Sequence, residues 1–353
     1  MKLHQNAIFT ALLAAALFGA TTPLAKALLG TLPPFMVAGL FYLGSGVGLA
    51  VAIAVRHARR KANEPHAEHP LKIAELPWLF GAIAAGGIAG PALLMLGLST
   101  APAAASSLLL NLEGVFTALI AWLCFRENVD TQIFLGMAAI VAGGVLLSWP
   151  ASHAGAAPGE LLVAGACLCW AIDNNLTRKV STNDAMVIAC LKGLVAGPVN
   201  LAIAFALGAH WPDAGRMGGA MAVGFAGYGV SLVLFVVALR HLGTARTGAY
   251  FSVAPLFGVT LSFLLWPERP AATFWLAGAL MGFGVWLHVR ERHEHEHTHE
   301  PLDHTHRHRH DEHHQHEHDF DWDGTEPHTH RHHHAPITHR HAHFPDVHHR
   351  HSH

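Results

Sequence analysis

The sequence predicts an all-α membrane protein in which ten transmembrane helices form two inverted five-helix repeats. Three observations lead to this fold class: long apolar runs, short connections that contain glycine or proline, and an internal repeat. Lys, Arg, Asp and Glu make up only 13% of the 353 residues, about half their share in a soluble domain. The four cysteines fall in apolar runs without the paired spacing of a zinc or redox site, so we interpret them as packing residues.

Each predicted helix is an apolar run of about 20 residues, the length that crosses ~30 Å of hydrocarbon. Unpaired backbone amides within lipid are so costly that helices are the only favourable structure for such runs. The short connections make consecutive helices antiparallel neighbours. The predicted spans lie near residues 7–26, 34–55, 76–98, 101–124, 131–149, 159–178, 185–207, 217–239, 244–266 and 272–290.

Basic residues between the spans predict how the chain is oriented in the membrane. By the positive-inside rule, the loops that contain them are cytoplasmic. An even number of spans then places both termini in the cytoplasm, and the expected location is the bacterial inner membrane. The basic residues concerned are Arg56, Arg59, Arg60, Lys61, Lys72, Arg178, Lys179, Arg240 and Arg246.

An internal repeat relates the two halves, since Gly284 lies 141 residues after Gly143 and six further identities share this separation. Because each half has five spans, the second half enters the membrane from the opposite side, which gives an inverted repeat. The predicted domains are residues 1–149, 150–291 and a tail at 292–353. The other identities are Leu98 with Leu239, Ala104 with Ala245, Phe116 with Phe257, Leu123 with Leu264, Glu127 with Glu268, and Leu146 with Leu287.

These residues resemble the drug/metabolite transporter superfamily, in particular its ten-helix EamA-type branch. The resemblance covers about residues 7–290 and rests on three stretches: Leu17-Phe18-Gly19, the segment 98–147 with Phe125-Arg126-Glu127, and the segment 239–287 with Pro255 and Trp266-Pro267-Glu268. One departure is that Glu113 and Gly114 stand where the second half has Ala254 and Pro255.

The resemblance implies a secondary transporter that moves metabolites or toxic organic compounds by alternating access through a cavity between the halves. The expected direction is export, with import left open. The sequence has no phosphate-cradling loop, so direct drive by ATP is not expected. We expect no enzyme activity, although a membrane enzyme stays open as an alternative class. The expected partners are lipid and a small-molecule substrate, without nucleic acid, in a monomer or homodimer.

Glu113 is the leading candidate for a proton- or substrate-binding residue. It lies about 12 residues into the fourth span, near the bilayer midplane. A charge there costs at least ~2.5 kcal/mol, so it needs a partner or a wet cavity. A desolvated carboxyl could bind a proton or a cationic group in one access state and release it in the other. The alternative is a neutral Glu113 that is hydrogen-bonded to a neighbouring helix.

Further candidates lie on the sixth and ninth spans. Trp170, Asp173 and Asn174 share one helix face that could line a cavity, or could be the frayed end of the helix. Arg246 and Tyr250, one turn apart, could face Glu113 from the other half. Lys192, on the seventh span, is expected to extend its long side chain outwards to the headgroups.

The tail contains 24 of the 32 histidines and almost no apolar periodicity, so it is expected to be disordered. Imidazoles at this density bind zinc, nickel or cobalt. The expected role is a metal buffer or a sensor; a pH-responsive tail and a low-complexity extension stay open. No cofactor is required. The chain could also carry a divalent metal as cargo, or sense metal without transporting any solute. The candidate metal ligands are His293, His295, His297, His299, His304 and His306.

Overall fold

The computed structural model describes residues 2–59, 73–125, 131–148, 158–177, 180, 184–242, 250–267, 269–290, 294–299, 302–308, 328–334 and 337–342. The chain forms two compact units, Met1–Glu291 and Arg292–His353. The described residues of the first unit are helical apart from short turns, and they form the ten helices α1 to α10.

Six of these helices run without interruption in the described chain. They begin and end close to the positions that the apolar runs predict. They are α1 (Lys2–Leu29), α2 (Pro34–Arg59), α5 (Thr131–Ser148), α6 (Pro158–Thr177), α7 (Ala185–Ala206) and α10 (Ala272–Arg290).

The other four helices are interrupted. A short 3-10 turn, Ile73–Glu75, precedes α3. Both α3 and α8 contain a π-helical segment, whereas α4 and α9 contain a turn between two helical pieces. The pieces are Leu76–Ala82, π segment Ile83–Ala89 and Gly90–Thr100 for α3; Ala103–Leu109 and Leu112–Phe125 for α4; Ala214–Gly224, π segment Phe225–Val230 and Ser231–Leu242 for α8; residues 250–251 and Ala254–Leu265 for α9.

Seven helical segments in the described chain are long and apolar enough to cross a membrane. Two further segments, Ala254–Leu265 and Ala272–Leu287, are apolar but shorter. The tenth, Pro158–Thr177, is less hydrophobic because it carries Glu160, Asp173 and two asparagines. The helix positions thus agree with the predicted ten-span bundle, and this fold class is confirmed.

The interruptions occupy equivalent positions in the two halves. Shifting the α3 π segment, Ile83–Ala89, by the 141-residue repeat gives residues 224–230, and the α8 π segment is Phe225–Val230. The turn at residues 110–111 of α4 shifts to 251–252, and the turn in α9 is at 252–253. Each pair agrees within one residue. The repeat therefore extends from residue identities to irregularities of the backbone.

The packing of α5 against α10 shows the two-fold relation of the halves directly. A Cβ atom on Gly143 would lie 2.8 Å from the carbonyl oxygen of Ala277, and one on Gly284 would lie 2.5 Å from that of Gly136. The repeat converts Gly143 into Gly284 and Gly136 into Ala277, so these two contacts are equivalent. Likewise α1 packs on α8 and α9, and α6 packs on α3 and α4.

Acidic residues outside the apolar spans cap two helices of the second half. Asp184 accepts hydrogen bonds from the start of α7, including one from the Met186 N–H, and forms an ion pair with Arg56 of α2. Asp213 accepts a hydrogen bond of 3.0 Å from the Arg216 N–H at the start of α8. This bond is the main reason why the pKa of the exposed Asp213 carboxyl is lowered.

The described parts of the tail form four short strands, where the sequence predicts disorder. Strand β1 pairs with β4 and β2 pairs with β3, both antiparallel. The physical basis is the alternation of histidine with Thr, Arg or Glu, a two-residue period that suits a strand. The strands are β1 (Glu294–His299), β2 (Leu302–His308), β3 (His328–His334) and β4 (Ile337–Ala342).

Candidate functional site

Glu113 lies at the middle of its span, in the first turn of the second piece of α4. It is the eleventh of the 22 residues of Ala103–Cys124, and it follows the turn at residues 110–111 directly. A broken helix at membrane depth is tolerated where the backbone is buried in protein or borders a wet cavity. The start of a helix also stabilises a nearby negative charge.

The carboxylate of Glu113 is bonded to the other half of the molecule. The side-chain amide of Asn174, on α6, donates a hydrogen bond of 2.8 Å to Oε1 of Glu113. The same amide lies 3.5 Å from Oγ1 of Thr117 on α4. The hydrogen bond to a neighbouring helix that a purely structural role requires is therefore present.

Open space also borders this bond. Glu113 is half-buried and Asn174 is exposed. A Cβ atom on Gly114, the next residue, would meet no atom within 4 Å. The second half has Pro255 at the equivalent position, so the open space lies at a position where the two halves have different residues. The bond between the halves therefore lies at an exposed position among the described residues.

Lys192 corrects an expectation, because its side chain forms an ion pair inside the bundle instead of extending to the headgroups. Its Nζ donates to Oδ1 of Asp173 at 2.5 Å and to Oγ1 of Thr177 at 2.9 Å. The hydroxyl of Thr177 donates to the same Asp173 oxygen at 2.8 Å. The expectation was wrong because it considered only the depth of Lys192 in its span, whereas the buried carboxylate of Asp173 lies within reach of the side chain. We call Glu113, Asp173, Asn174, Thr177 and Lys192 the polar cluster.

The π segment of α3 binds two side chains through one carbonyl. Trp170 Nε1 donates to the Gly86 oxygen at 3.0 Å, and the Tyr42 hydroxyl donates to the same oxygen at 2.7 Å. The carboxylate of Asp173 packs so closely that a Cβ atom on Gly86 would lie 2.0 Å from its Oδ2. Trp170 and Asp173 thus contact α3, whereas Asn174, on the same stretch of α6, contacts α4.

Next to these residues, aromatic rings from both halves meet. The ring centroids of Tyr42 and Tyr228 are 5.3 Å apart, those of Phe41 and Tyr228 are 5.8 Å apart, and those of Phe18 and Phe251 are 5.5 Å apart. Phe18 also lies 6.3 Å from Tyr228. We call these five residues the aromatic cluster. All except the fully buried Phe41 are half-buried.

Sequence reasoning did not single out Tyr42 and Tyr228. A usable indication was present, because the chain has only three tyrosines and all of them lie in predicted spans. Burial favours a tyrosine only where its hydroxyl finds a partner, as that of Tyr42 does at Gly86.

The structure does not bring Tyr250 together with Glu113. Tyr250 packs against Ala7, Ala11 and Ala238, which belong to α1 and α8. Glu113 has its hydrogen-bond partner on α6 instead. Arg246, the other candidate from this span, lies outside the described residues. The described contacts of Tyr250 thus lie on α1 and α8, and the pairing of Glu113 with Arg246 stays a prediction.

Most of the candidate histidine ligands fall on tail strands. His295, His297 and His299 are on β1, and His304 and His306 are on β2. His293 lies outside the described residues. Among the residues that are described, no group of three or more His, Cys, Asp or Glu side chains could hold a metal ion. Metal binding by the tail stays a prediction.

Comparison with known proteins gives the family. The model of the EamA-like transporter family matches the chain twice, over residues 5–149 and 157–290. An uncharacterized transporter of Methanothermobacter thermautotrophicus is 27% identical over 281 residues, which cover 76% of this chain and 82% of that protein. One crystal structure, at 21% identity, aligns with a TM-score of 0.57 over 80% of this chain and 96% of its own, a likeness of fold. The chain is therefore a multi-pass membrane transporter rather than an enzyme, and it belongs to the EamA-like transporter family.

Proposed function

We propose that the chain is a secondary carrier that exports a small organic metabolite or toxic compound across the bacterial inner membrane by alternating access, with both termini in the cytoplasm. The observation that carries the proposal is the hydrogen bond between Glu113 and Asn174. It joins the two halves at mid-membrane depth, beside the turn in α4 and next to open space.

This bond can couple occupancy of the site to the contact between the halves. An amide N–H binds a carboxylate more strongly than a neutral carboxyl, because the charge strengthens the hydrogen bond. A proton on Glu113 therefore weakens the contact between α4 and α6. A bound substrate that takes the carboxylate does the same, so proton and substrate compete for one group and export can be driven by proton entry.

Everted membrane vesicles test this mechanism. Respiration acidifies the vesicle interior and quenches acridine orange fluorescence. When a proton antiporter takes its substrate into the vesicle, protons leave the interior and the fluorescence recovers. We expect some compounds of a panel of amino acids, amines, organic acids and nucleosides to cause recovery with the wild type. Glu113→Gln should abolish this recovery, because the side chain no longer exchanges a proton.

Asp213→Asn is the matched control, since it removes an exposed carboxylate outside the spans. It should leave the recovery unchanged. The proposal fails if no compound of the panel gives a signal above that of empty vesicles. Coupling through Glu113 fails if Glu113→Gln exports at the wild-type rate.

The histidine tail supports a second function, a cytoplasmic store or sensor for zinc, nickel or cobalt. What supports it is the density of histidine on β1 and β2. A chain that ends at Glu291 tests it, because the tail forms a compact unit of its own. We expect this truncation to lose zinc binding in calorimetry and to retain export of the organic substrate. Loss of metal resistance without loss of organic flux would instead make the metal the cargo.

A further inference from the structure

We infer that the exported solute carries an organic ammonium group, which binds between the Glu113 carboxylate and the half-buried rings of Tyr42 and Tyr228. The inference rests on the proposed function and specifies its substrate class. Three features of the described residues lead to it: the charge balance of the polar cluster, the position of the aromatic cluster, and the hydrogen-bonding groups that are already occupied.

Among the described residues, the polar cluster has one carboxylate without a counter-charge. Lys192 is the one basic residue of the polar cluster, and it is engaged by Asp173. Within the part of the chain that the structure describes, Glu113 forms a hydrogen bond with Asn174 and no ion pair. An unpaired carboxylate at the middle of a span is costly, so a cationic ligand gains more there than in water.

The aromatic cluster is linked to Glu113 by a short series of contacts. Asn174, which binds Glu113, follows Trp170 by one helical turn on α6. Trp170 and Tyr42 donate to the same Gly86 oxygen, and Tyr42 lies against Tyr228. Ring faces attract cations, most strongly where water is excluded. The half-buried rings and the carboxylate therefore both favour a positively charged ligand.

The occupied groups disfavour an anion or a zwitterion. A substrate carboxylate needs a basic partner or several free N–H donors. The ammonium of Lys192 already binds Asp173 and Thr177, and the N–H groups of Trp170 and Asn174 are bound to Gly86 and Glu113. A solute with an ammonium group and no carboxylate matches the groups that stay available in the described part of the polar cluster.

Four probes with a similar phenyl-ethyl skeleton separate these possibilities: phenethylamine, phenethyl alcohol, phenylalanine and 3-phenylpropionate. Binding is measured as thermal stabilisation of the full-length protein in detergent at pH 7, with methylammonium and ethylammonium added to cover small sites. We expect at least one ammonium compound to bind at least tenfold more tightly than phenethyl alcohol and 3-phenylpropionate do. Glu113→Gln should lower this affinity at least tenfold.

Aromatic variants test the ring contribution. Tyr228→Phe keeps the ring face and should bind ammonium within about twofold of the wild type, whereas Tyr228→Leu should bind it about three- to tenfold more weakly. Phe283→Leu is the control, because Phe283 stacks on Trp286 of α10 away from the aromatic cluster. It should bind as the wild type does.

The inference is overturned if none of the three ammonium compounds binds, or if phenylpropionate or the alcohol binds more tightly. It is also overturned if Glu113→Gln binds ammonium as well as the wild type does. These results leave the proposed function intact when another compound of the vesicle panel is exported. Absence of export for the whole panel would instead count against the proposed function itself.

Discussion

At the scale of single residues, the ion pair of Asp173 and Lys192 shows how opposite charges are accommodated within apolar helices. The two side chains are only 11% and 16% exposed. Either charge alone would be costly at this depth. Together with the Thr177 hydroxyl they satisfy each other, and the carboxylate also packs on Gly86 of the first half. The pair therefore fixes α6 against α7 and α3.

We expect the removal of one partner to be worse than the removal of both. Asp173→Asn or Lys192→Met leaves one buried charge without a counter-charge and should lower the free energy of unfolding by about 3 to 5 kcal/mol. The double variant should recover most of this loss. Unfolding of the purified protein in a denaturing detergent gives the three values. Losses that simply add in the double variant would show that the two residues do not interact.

Which site residues could be predicted from the sequence depends on how unusual they are in their surroundings. Glu113, Asp173 and Asn174 stand out because a polar side chain within an apolar run needs a reason. The partner of Lys192 was not predictable, because the direction of a long flexible side chain is decided by the neighbouring helices. The aromatic cluster was missed because rings are common in apolar helices, and only the fold brings these five together.

At the scale of helices, the π segments explain how backbone groups become part of the polar cluster. A π turn interrupts the regular i→i−4 ladder, and such turns occur frequently at functional sites. In α3 the Gly86 oxygen binds Trp170 and Tyr42. The sequence predicted the helix but not its π segment, since the apolar pattern and the length suit both. Glycine at 86 and 87 was the one available indication.

Substitution of the π-segment glycines tests whether close packing at this point matters. A Cβ atom on Gly86 would lie 2.0 Å from Asp173 Oδ2 and 2.5 Å from its Cβ, so the carboxylate cannot simply rotate away. Gly227, the equivalent residue of α8, would meet Thr21 Cγ2 at 1.9 Å. We expect Gly86→Ala and Gly227→Ala each to cost about 1 to 3 kcal/mol and to slow export.

Gly282→Ala is the control for these variants. A Cβ atom there would meet nothing within 4 Å, so the higher helix propensity of alanine acts alone. The control should melt at the same temperature as the wild type or slightly above it. Melting temperatures are compared by the fluorescence of a thiol-reactive dye. Equal melting of Gly86→Ala and Gly282→Ala would contradict the close approach of α3 to α6.

At the scale of the whole molecule, the sequence predicted the number of helices and the relation of the halves because both depend on patterns that repeat. An apolar run of about 20 residues gives a span wherever it occurs. The 141-residue separation gives the repeat, and the paired π segments carry it into the backbone. For the tail, the prediction and the structure differ. Its composition provides no apolar face, which predicts disorder, but its two-residue alternation suits the strands that its described parts form.

Paired cysteines can test the two-fold relation of the halves at α5 and α10. Gly143 faces Ala277, and the repeat makes this contact equivalent to that of Gly136 with Gly284. Gly143→Cys with Ala277→Cys, and Gly136→Cys with Gly284→Cys, place thiols on closely packed backbones, and the two helices must separate slightly to admit the new Cβ atoms. Disulfides need Cα atoms within about 7 Å, so we expect both pairs to form under mild oxidation.

The pair of Gly143→Cys with Gly284→Cys is the control, since these residues are equivalents of each other and not partners. The helices are antiparallel, and Gly143 belongs to one of the two contacts whereas Gly284 belongs to the other. These two residues therefore lie too far apart along the helices to form a disulfide. A gel shift after cleavage of the loop between the halves detects each link. Ready linking of the control, or of only one of the two partner pairs, would contradict a two-fold axis between α5 and α10. Linking of both partner pairs without the control is the pattern that an inverted repeat requires.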